Sequence, residues 1–408
     1  MGFKVEQERP QLLSDFDVSP ERGFLPAEDP LTKLPHPLEF LDYYGDHLPE
    51  LIESKEILNI ARALPIIPEE YFLSLKLGKR ELQLAWVRIS HLLSGYVHSL
   101  AGPKVVPPNL AKLACMIAKE LGIKKPILQY SPYVLYNWKR KNPEGPIKVD
   151  NLELIQMFLR IPEQAWFNLT HTDIENEAGP AIRYMWALNK PRDLDNVKVE
   201  TSLVGIYGSI ENMIVVMMRM PEGTYPDTYY KIRPWIWSFE NVIYEGIDEY
   251  GGQLQNFRGQ TGAQTSIFQA LEAGLQMPRL SDNSLSRHLY DMRNYMPAKH
   301  REFIEYLERN SRVREFVVSS VPSLMDLYDS CLFNILKFLA IHLGYAFFYI
   351  HQKTENPRGT GNTDDFMKYL GERIGERWRV AFIKPRSEED LKIFLDDMRK
   401  TVKELVAV

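Results

Sequence analysis

Residues 331–350 read CLFNILKFLAIHLGYAFFYI, and the fold turns on how that run is understood. Twenty mostly apolar residues are about what a helix needs to cross a bilayer. Lys337 stands inside the run, Asp326 and Asp329 precede it, and no companion span is evident elsewhere. Charge inside a lipid-exposed span is costly. The run is therefore expected to be a core helix of a soluble protein, with no membrane partner. Its one imidazole, His342, has Phe338, Leu339, Tyr345 and Ala346 at the i±3 and i±4 positions, which surrounds the ring with apolar and aromatic surface. On local grounds two readings stay open. One is a hydrogen-bonded core histidine. The other is an iron ligand set in the flat apolar wall that a haem requires.

The chain has 408 residues, 45% hydrophobic and 25% charged, a globular balance with length enough for two domains. A net charge of -5, from 54 acids against 49 bases, argues against a nucleic-acid partner, whose phosphates call for a basic surface. The two cysteines, Cys115 and Cys331, form no CxxC motif and point to a reducing compartment. The first residues lack the basic-then-apolar layout of a secretory leader. Glu6 stands where a myristoylation motif takes Ser or Thr. The expected location is cytoplasmic.

Residues 1–35 are rich in Pro, Asp and Glu and read as an extended arm. Helical periodicity then runs from about Pro37 to Gly122. Asn109 is expected to cap the last of these helices and Gly122 to close it. The proline-broken, aromatic run 126–145 reads as a connector. Further helices are expected over 151–158, 162–189, 199–220, 225–246, 264–274, 296–309, 311–318, 323–353, 364–374 and 386–406. The expected fold is all-α: the arm, a small helical domain over 36–150 and a large one over 151–408.

Two loops interrupt the helices, GGQLQNFRGQTGAQTS (251–266) and HQKTENPRGTGNTDD (351–365). Their glycines permit close backbone approach to a ligand, and surface connectors would look the same. His171 and Glu175 share a helical face, which suits either a non-haem metal pair or a hydrogen-bonded surface histidine. Arg233, before Pro234 in TYYKIRPWIWSF, sits at a helix break. There it would clamp a carboxylate or form an ordinary salt bridge. GTGNTD lacks the strand and the Gly-Lys-Ser/Thr ending of a phosphate loop, and no HExxH or GxSxG occurs.

Taken together, FRGQTGAQTSIFQAL (257–271), DMRNYMPAKHREFIEYLERNSRVREFV (291–317), FLAIHLGY (338–345) and RGTGNTD (358–364) resemble, in order and spacing, the indoleamine 2,3-dioxygenases. YVLYNWKRKNP (133–143) and LVGIYGSIENM (203–213) add to the resemblance, which covers most of residues 40–375. It implies haem b between a small and a large helical domain, ferrous for activity and kept so by an electron donor. It implies O2 and L-tryptophan or a related indoleamine as substrates, and N-formylkynurenine as product, the first step of the kynurenine pathway. By the same resemblance His342 falls on the proximal iron ligand. Tyr130, Val134 and Phe167 fall on the distal pocket, and Arg233 on the substrate-carboxylate arginine. Thr261, Gly262 and Ala263 fall on the loop over the distal face, and Thr360 on the loop that closes over the amino acid.

The chain departs from the family pattern at four places. His171 stands where familiar members carry a serine, and related tryptophan 2,3-dioxygenases place a histidine near the indole N–H. Thr228 replaces a pocket aromatic, with Tyr229 beside it. Asn362 replaces a glycine of the closing loop. Leu339 replaces an arginine one turn before His342, which leaves one haem-propionate contact to another residue. These changes keep open a haem enzyme that mono-oxygenates or rearranges a modified tryptophan, and a non-catalytic haem sensor.

Overall fold

The computed structural model describes residues 11–189, 194–278, 284–355, 357–360 and 366–407. Among these are sixteen α-helices and five short strands, and the chain is all-α in class. Two apolar clusters hold it together. One gathers the helices after residue 174 with Leu13, Phe16 and Phe24. The other gathers residues 25–158 with Phe239, Val242, Tyr244 and Phe257. Phe167 packs against both. The described part of the amino-terminal segment is therefore well packed. Phe24 and Leu25 are fully buried, one in each cluster.

The centre of the second cluster is the helix Lys79–Ser99, buried at every residue from Leu82 to Val97. That explains why its apolar residues are not confined to one face, since a helix buried all round needs no polar stripe. Arg88 in its middle is satisfied by Asp42 at 3.1 Å, Asp46 at 2.8 Å, Gln156 at 2.8 Å and the Ile155 carbonyl at 3.1 Å. In the first cluster, helix Pro162–Leu188 packs along helix Asn196–Met218, which packs on helix Pro322–Tyr349. The 331–350 run is the core of that last helix, as expected. The helices Asn196–Glu222 and Pro322–Lys353 are both long and apolar enough to cross a membrane, so the run has a companion that the sequence reading missed. The longer one has 67% of its most apolar window buried inside the protein.

Three expectations are corrected. Residues 151–158 form no helix. After a 3-10 turn, Leu152–Glu153 pairs with Lys139–Arg140. Leu152, Leu154, Gln156 and Phe158 are buried alternately, the period of extended chain. The helix expected over 225–246 stops at Ile232 and tightens to a 3-10 turn at Arg233–Ile236, because Pro234 cannot continue the ladder. Phe239–Tyr244 then forms a strand between Lys104–Val106 and Gln255–Phe257. Asn109 is not a cap: it lies inside helix Pro108–Glu120 and donates its amide to the Leu64 carbonyl. Gly122 does close that helix, at φ 65°, with Ile123 N–H returning 2.8 Å to the Ala118 carbonyl.

Helix Pro162–Leu188 carries Pro180 in its interior. Its ladder is repaired from outside: Ser209 accepts from Ala181 N–H at 3.3 Å and donates to the Glu177 carbonyl. Beside the proline, Gly179 receives the turn Ser19–Gly23, and a Cβ built there would lie 2.4 Å from the Glu21 carbonyl oxygen. Gly179→Ala is therefore expected to push the turn off the helix and destabilise the fold by about 1–3 kcal/mol, as measured by urea unfolding. A change below about 0.5 kcal/mol would show that the turn yields without cost.

Candidate active site

A cavity opens at the seam between the two clusters, with about 1600 Å³ of atom-free space including its mouth. Two helices face each other across it. Helix 162–188 contributes Phe167, His171 and Ile174, spaced i, i+4, i+7. Helix 322–349 contributes Phe338, Leu339, His342, Tyr345, Ala346 and Tyr349, one stripe at helical spacing. The loop after strand Gln255–Phe257 supplies Thr261, Gly262 and Ala263, and Arg233, Thr360 and Tyr130 complete the set.

Of the ten residues singled out from sequence, nine line this cavity. Val134 does not. It is buried in a short π-helical turn, Ser131–Leu135, behind the wall, where its carbonyl receives the Thr172 hydroxyl at 3.3 Å. Tyr130, at the start of that turn, takes the wall position. Thr228 also stays outside the lining, and Tyr229 enters it, its ring 4.6 Å from that of Phe167. Asn362 lies outside the described residues.

His171 donates from Nδ1 to the Phe167 carbonyl at 2.8 Å. A carbonyl only accepts, so this bond fixes the tautomer and leaves Nε2 as a hydrogen-bond acceptor. Burial lowers the His171 pKa more than the Phe167 bond raises it, and the ring is neutral at pH 7. Across the cavity, burial, then His171 and Arg373, push His342 down to about 4. His342 makes no side-chain hydrogen bond to a described residue. A neutral imidazole with a free lone pair, in an apolar and aromatic wall, is what would hold a haem iron. Among the described residues no three His, Cys, Asp or Glu side chains converge as a metal site of their own, so the His171–Glu175 pair gains no third ligand.

Arg233 is buried at 2% exposure. Its Nη2 donates to the Arg358 carbonyl at 2.5 Å, while Nε has no partner. Thr360 donates to the Gln260 carbonyl, which pins the described end of the 358–360 segment to the other loop. That loop is stitched in turn. Gln264 accepts from Tyr130 N–H at 3.0 Å and donates to the Gly259 carbonyl at 2.9 Å. Thr265 caps helix Ser266–Gly274 and donates its hydroxyl to Glu175 at 2.7 Å.

Sequence reasoning missed Tyr349, Phe268, His288 and Arg373 in the lining. The first lay in plain view at His342+7. Arg373 carried no signal, because an arginine on an amphipathic helix reads as solvated.

A family model described as "Indoleamine 2,3-dioxygenase" matches residues 12–390. Indoleamine 2,3-dioxygenase 1 of Rattus norvegicus is 30% identical over 390 residues, spanning 87% of this chain and 92% of that protein. Indoleamine 2,3-dioxygenase of Saccharomyces cerevisiae is 27% identical, over 83% of this chain and 80% of its own length. Indoleamine 2,3-dioxygenase qulI of Penicillium citrinum is 26% identical, over 88% and 86% respectively.

Glu175 gives this site a pH signature. Burial raises its pKa to about 7, against smaller lowering by Thr265 and Tyr130. The folded state thus holds a proton that the unfolded chain has released between about pH 4.5 and 7, so stability falls as pH rises through that window. Glu175→Gln removes the ionisation. The variant is expected to gain on the order of 2–3 kcal/mol over the parent, in the unliganded protein, between pH 5 and pH 8. Urea unfolding at the two pH values measures this, and equal differences at both would show that Glu175 is not held protonated.

Proposed function

This chain belongs to the indoleamine 2,3-dioxygenase family, and on that premise we propose that it cleaves the indole C2–C3 bond of L-tryptophan, or of a closely related indoleamine, with O2 to give N-formylkynurenine. The reading includes haem b, bound through His342 and kept ferrous by an external electron donor. What carries it is the pair of neutral imidazoles on opposite helices across one apolar cavity, with a partly unpaired arginine in the wall. When bound, the haem supplies the oxygen chemistry, and the protein's part is to bind and orient the substrate.

Each residue then has a separate task. Arg233 pairs with the substrate carboxylate through donors that the Arg358 carbonyl leaves free. Phe167 and Tyr229, packed ring on ring, give the indole an aromatic face to lie against. His171 accepts the indole N–H at Nε2, the nitrogen that the Phe167 bond leaves as an acceptor. Thr360 and the 261–263 backbone close the amino-acid end. Held at both ends, the ring presents one bond to the reacting face. His171 serves to orient, because ring opening by this route needs no strong base. The free, buried Cys331 and half-buried Cys115 support a reducing, cytoplasmic location.

Purified protein reconstituted with haem is expected to show a Soret band that shifts with tryptophan, and His342→Ala is expected to lose the band. Mass spectrometry of the tryptophan product should show a gain of two oxygen atoms. A gain of one oxygen would favour the mono-oxygenase alternative, and an intact Soret band in His342→Ala would remove the ligand assignment.

The orienting role has its own signature. Methylation of the indole nitrogen removes the donor that His171 accepts. His171→Ala should weaken tryptophan binding by roughly fivefold, the size of one net hydrogen bond. It should leave 1-methyltryptophan binding unchanged. Equal losses for both ligands would mean that His171 acts only through the shape of the wall.

A further inference from the structure

One buried charge cluster at the cavity has no task in this scheme. Glu272, on helix 266–274, is fully buried and bridges two arginines of helix Phe366–Val380: Arg373 at 2.9 Å and Arg377 at 2.8 Å. Both arginines are buried as well. Burial alone would raise the Glu272 pKa, but Arg373 and Arg377 together outweigh it and hold the carboxyl at about 2. The cluster therefore contains one negative and two positive charges. Arg377 makes a second hydrogen bond, to the Pro278 carbonyl at 3.2 Å, so more donors are left open on Arg373.

Arg373 lines the cavity. Its Nη2 is taken by Glu272, its Nε has no partner, and its Nη1 bonds to no described residue. Its guanidinium lies over Phe268, 6.0 Å from the ring centroid, and Phe268 packs 4.7 Å from Phe338. Phe338 is one turn before His342. Arg373 thus belongs to the His342 wall. Arg233 stands beside Tyr229, whose ring lies 4.6 Å from Phe167 of the other wall and 5.9 Å from Tyr349. Two buried cations sharing one anion are unfavourable, and the free edge of a guanidinium fits a carboxylate.

We propose that Arg373 is a carboxylate-binding residue of this cavity, and that its partner is a propionate of the haem rather than the carboxylate of the substrate. The proposal rests on the haem reading above and adds to it the residue that anchors the macrocycle's charged edge. Glu272 acts through Arg373, by holding the guanidinium at the wall.

Haem transfer from the reconstituted protein to excess apomyoglobin measures retention without turnover. The haem dimethyl ester, whose propionates carry no charge, is the comparison ligand. The parent is expected to lose the ester about tenfold or more faster than haem, which corresponds to about 1.4 kcal/mol of charge-assisted hydrogen bonding. Arg373→Gln should lose haem faster by a similar factor, lose the ester at the parental rate, and keep the parental preference for tryptophan over tryptamine. A parent that holds both porphyrins equally overturns the proposal without any variant, so a misfolded Arg373→Gln does not protect it. An unchanged haem-to-ester ratio in Arg373→Gln also overturns it. Loss of the tryptophan preference in that variant overturns it in favour of the substrate carboxylate. A parent that takes up no haem overturns the haem reading itself, and this proposal with it.

Discussion

A close-packed interior leaves no cavity at its seam unless the surrounding elements are held apart. Here the holding is done by buried polar ties that span the walls. Glu175 and Thr265 join helix 162–188 to the 259–265 loop. Gln264 joins that loop to Tyr130. Tyr349 donates to the Thr224 carbonyl at 2.6 Å and joins helix 322–349 to the segment before Arg233. Glu272 joins helix 266–274 to helix 366–380. Each tie satisfies a buried polar group, so loosening one leaves an unpaired group inside rather than a softened surface contact.

The same burial sets the chemistry. Desolvation keeps His171 and His342 neutral, and His288, a third imidazole in the lining, as well, and neutrality is what a ligand and a hydrogen-bond acceptor require. The guanidiniums of Arg233 and Arg373 lie in the same buried walls. The neutral imidazoles therefore follow from the exclusion of water, and the buried cations are held against it by their partners.

The sequence carried much of this. Helices 162–188, 196–218, 298–310 and 322–349 emerge within a few residues of their expected bounds, since long periodic segments state their own length. It failed where tertiary context outranked local pattern. Residues 152–158 alternate with period two, but their short apolar run looked helical until the partner strand at 139–140 was seen. The strand 239–244 was hidden behind an aromatic helix start, and only Pro234 marked the change. In the site, nine residues were legible through motif order. Val134 was not, because in a π-helical turn the residue four places after Tyr130 points to the core rather than the cavity.

By itself the sequence determined the helical class, the family, and the placing of His342 in an apolar helix and His171 on a distant one, because composition, periodicity and motif order survive without coordinates. Only the tertiary structure decided that the two imidazoles face one cavity, and which nitrogen of His171 remains free, because a tautomer is set by the partner of the other nitrogen. It alone also showed that Arg373, outwardly a surface residue of a late helix, is a buried cation with donors to spare. Charge balance is a property of neighbours in space, and the neighbours of Arg373 are about a hundred residues away in the chain.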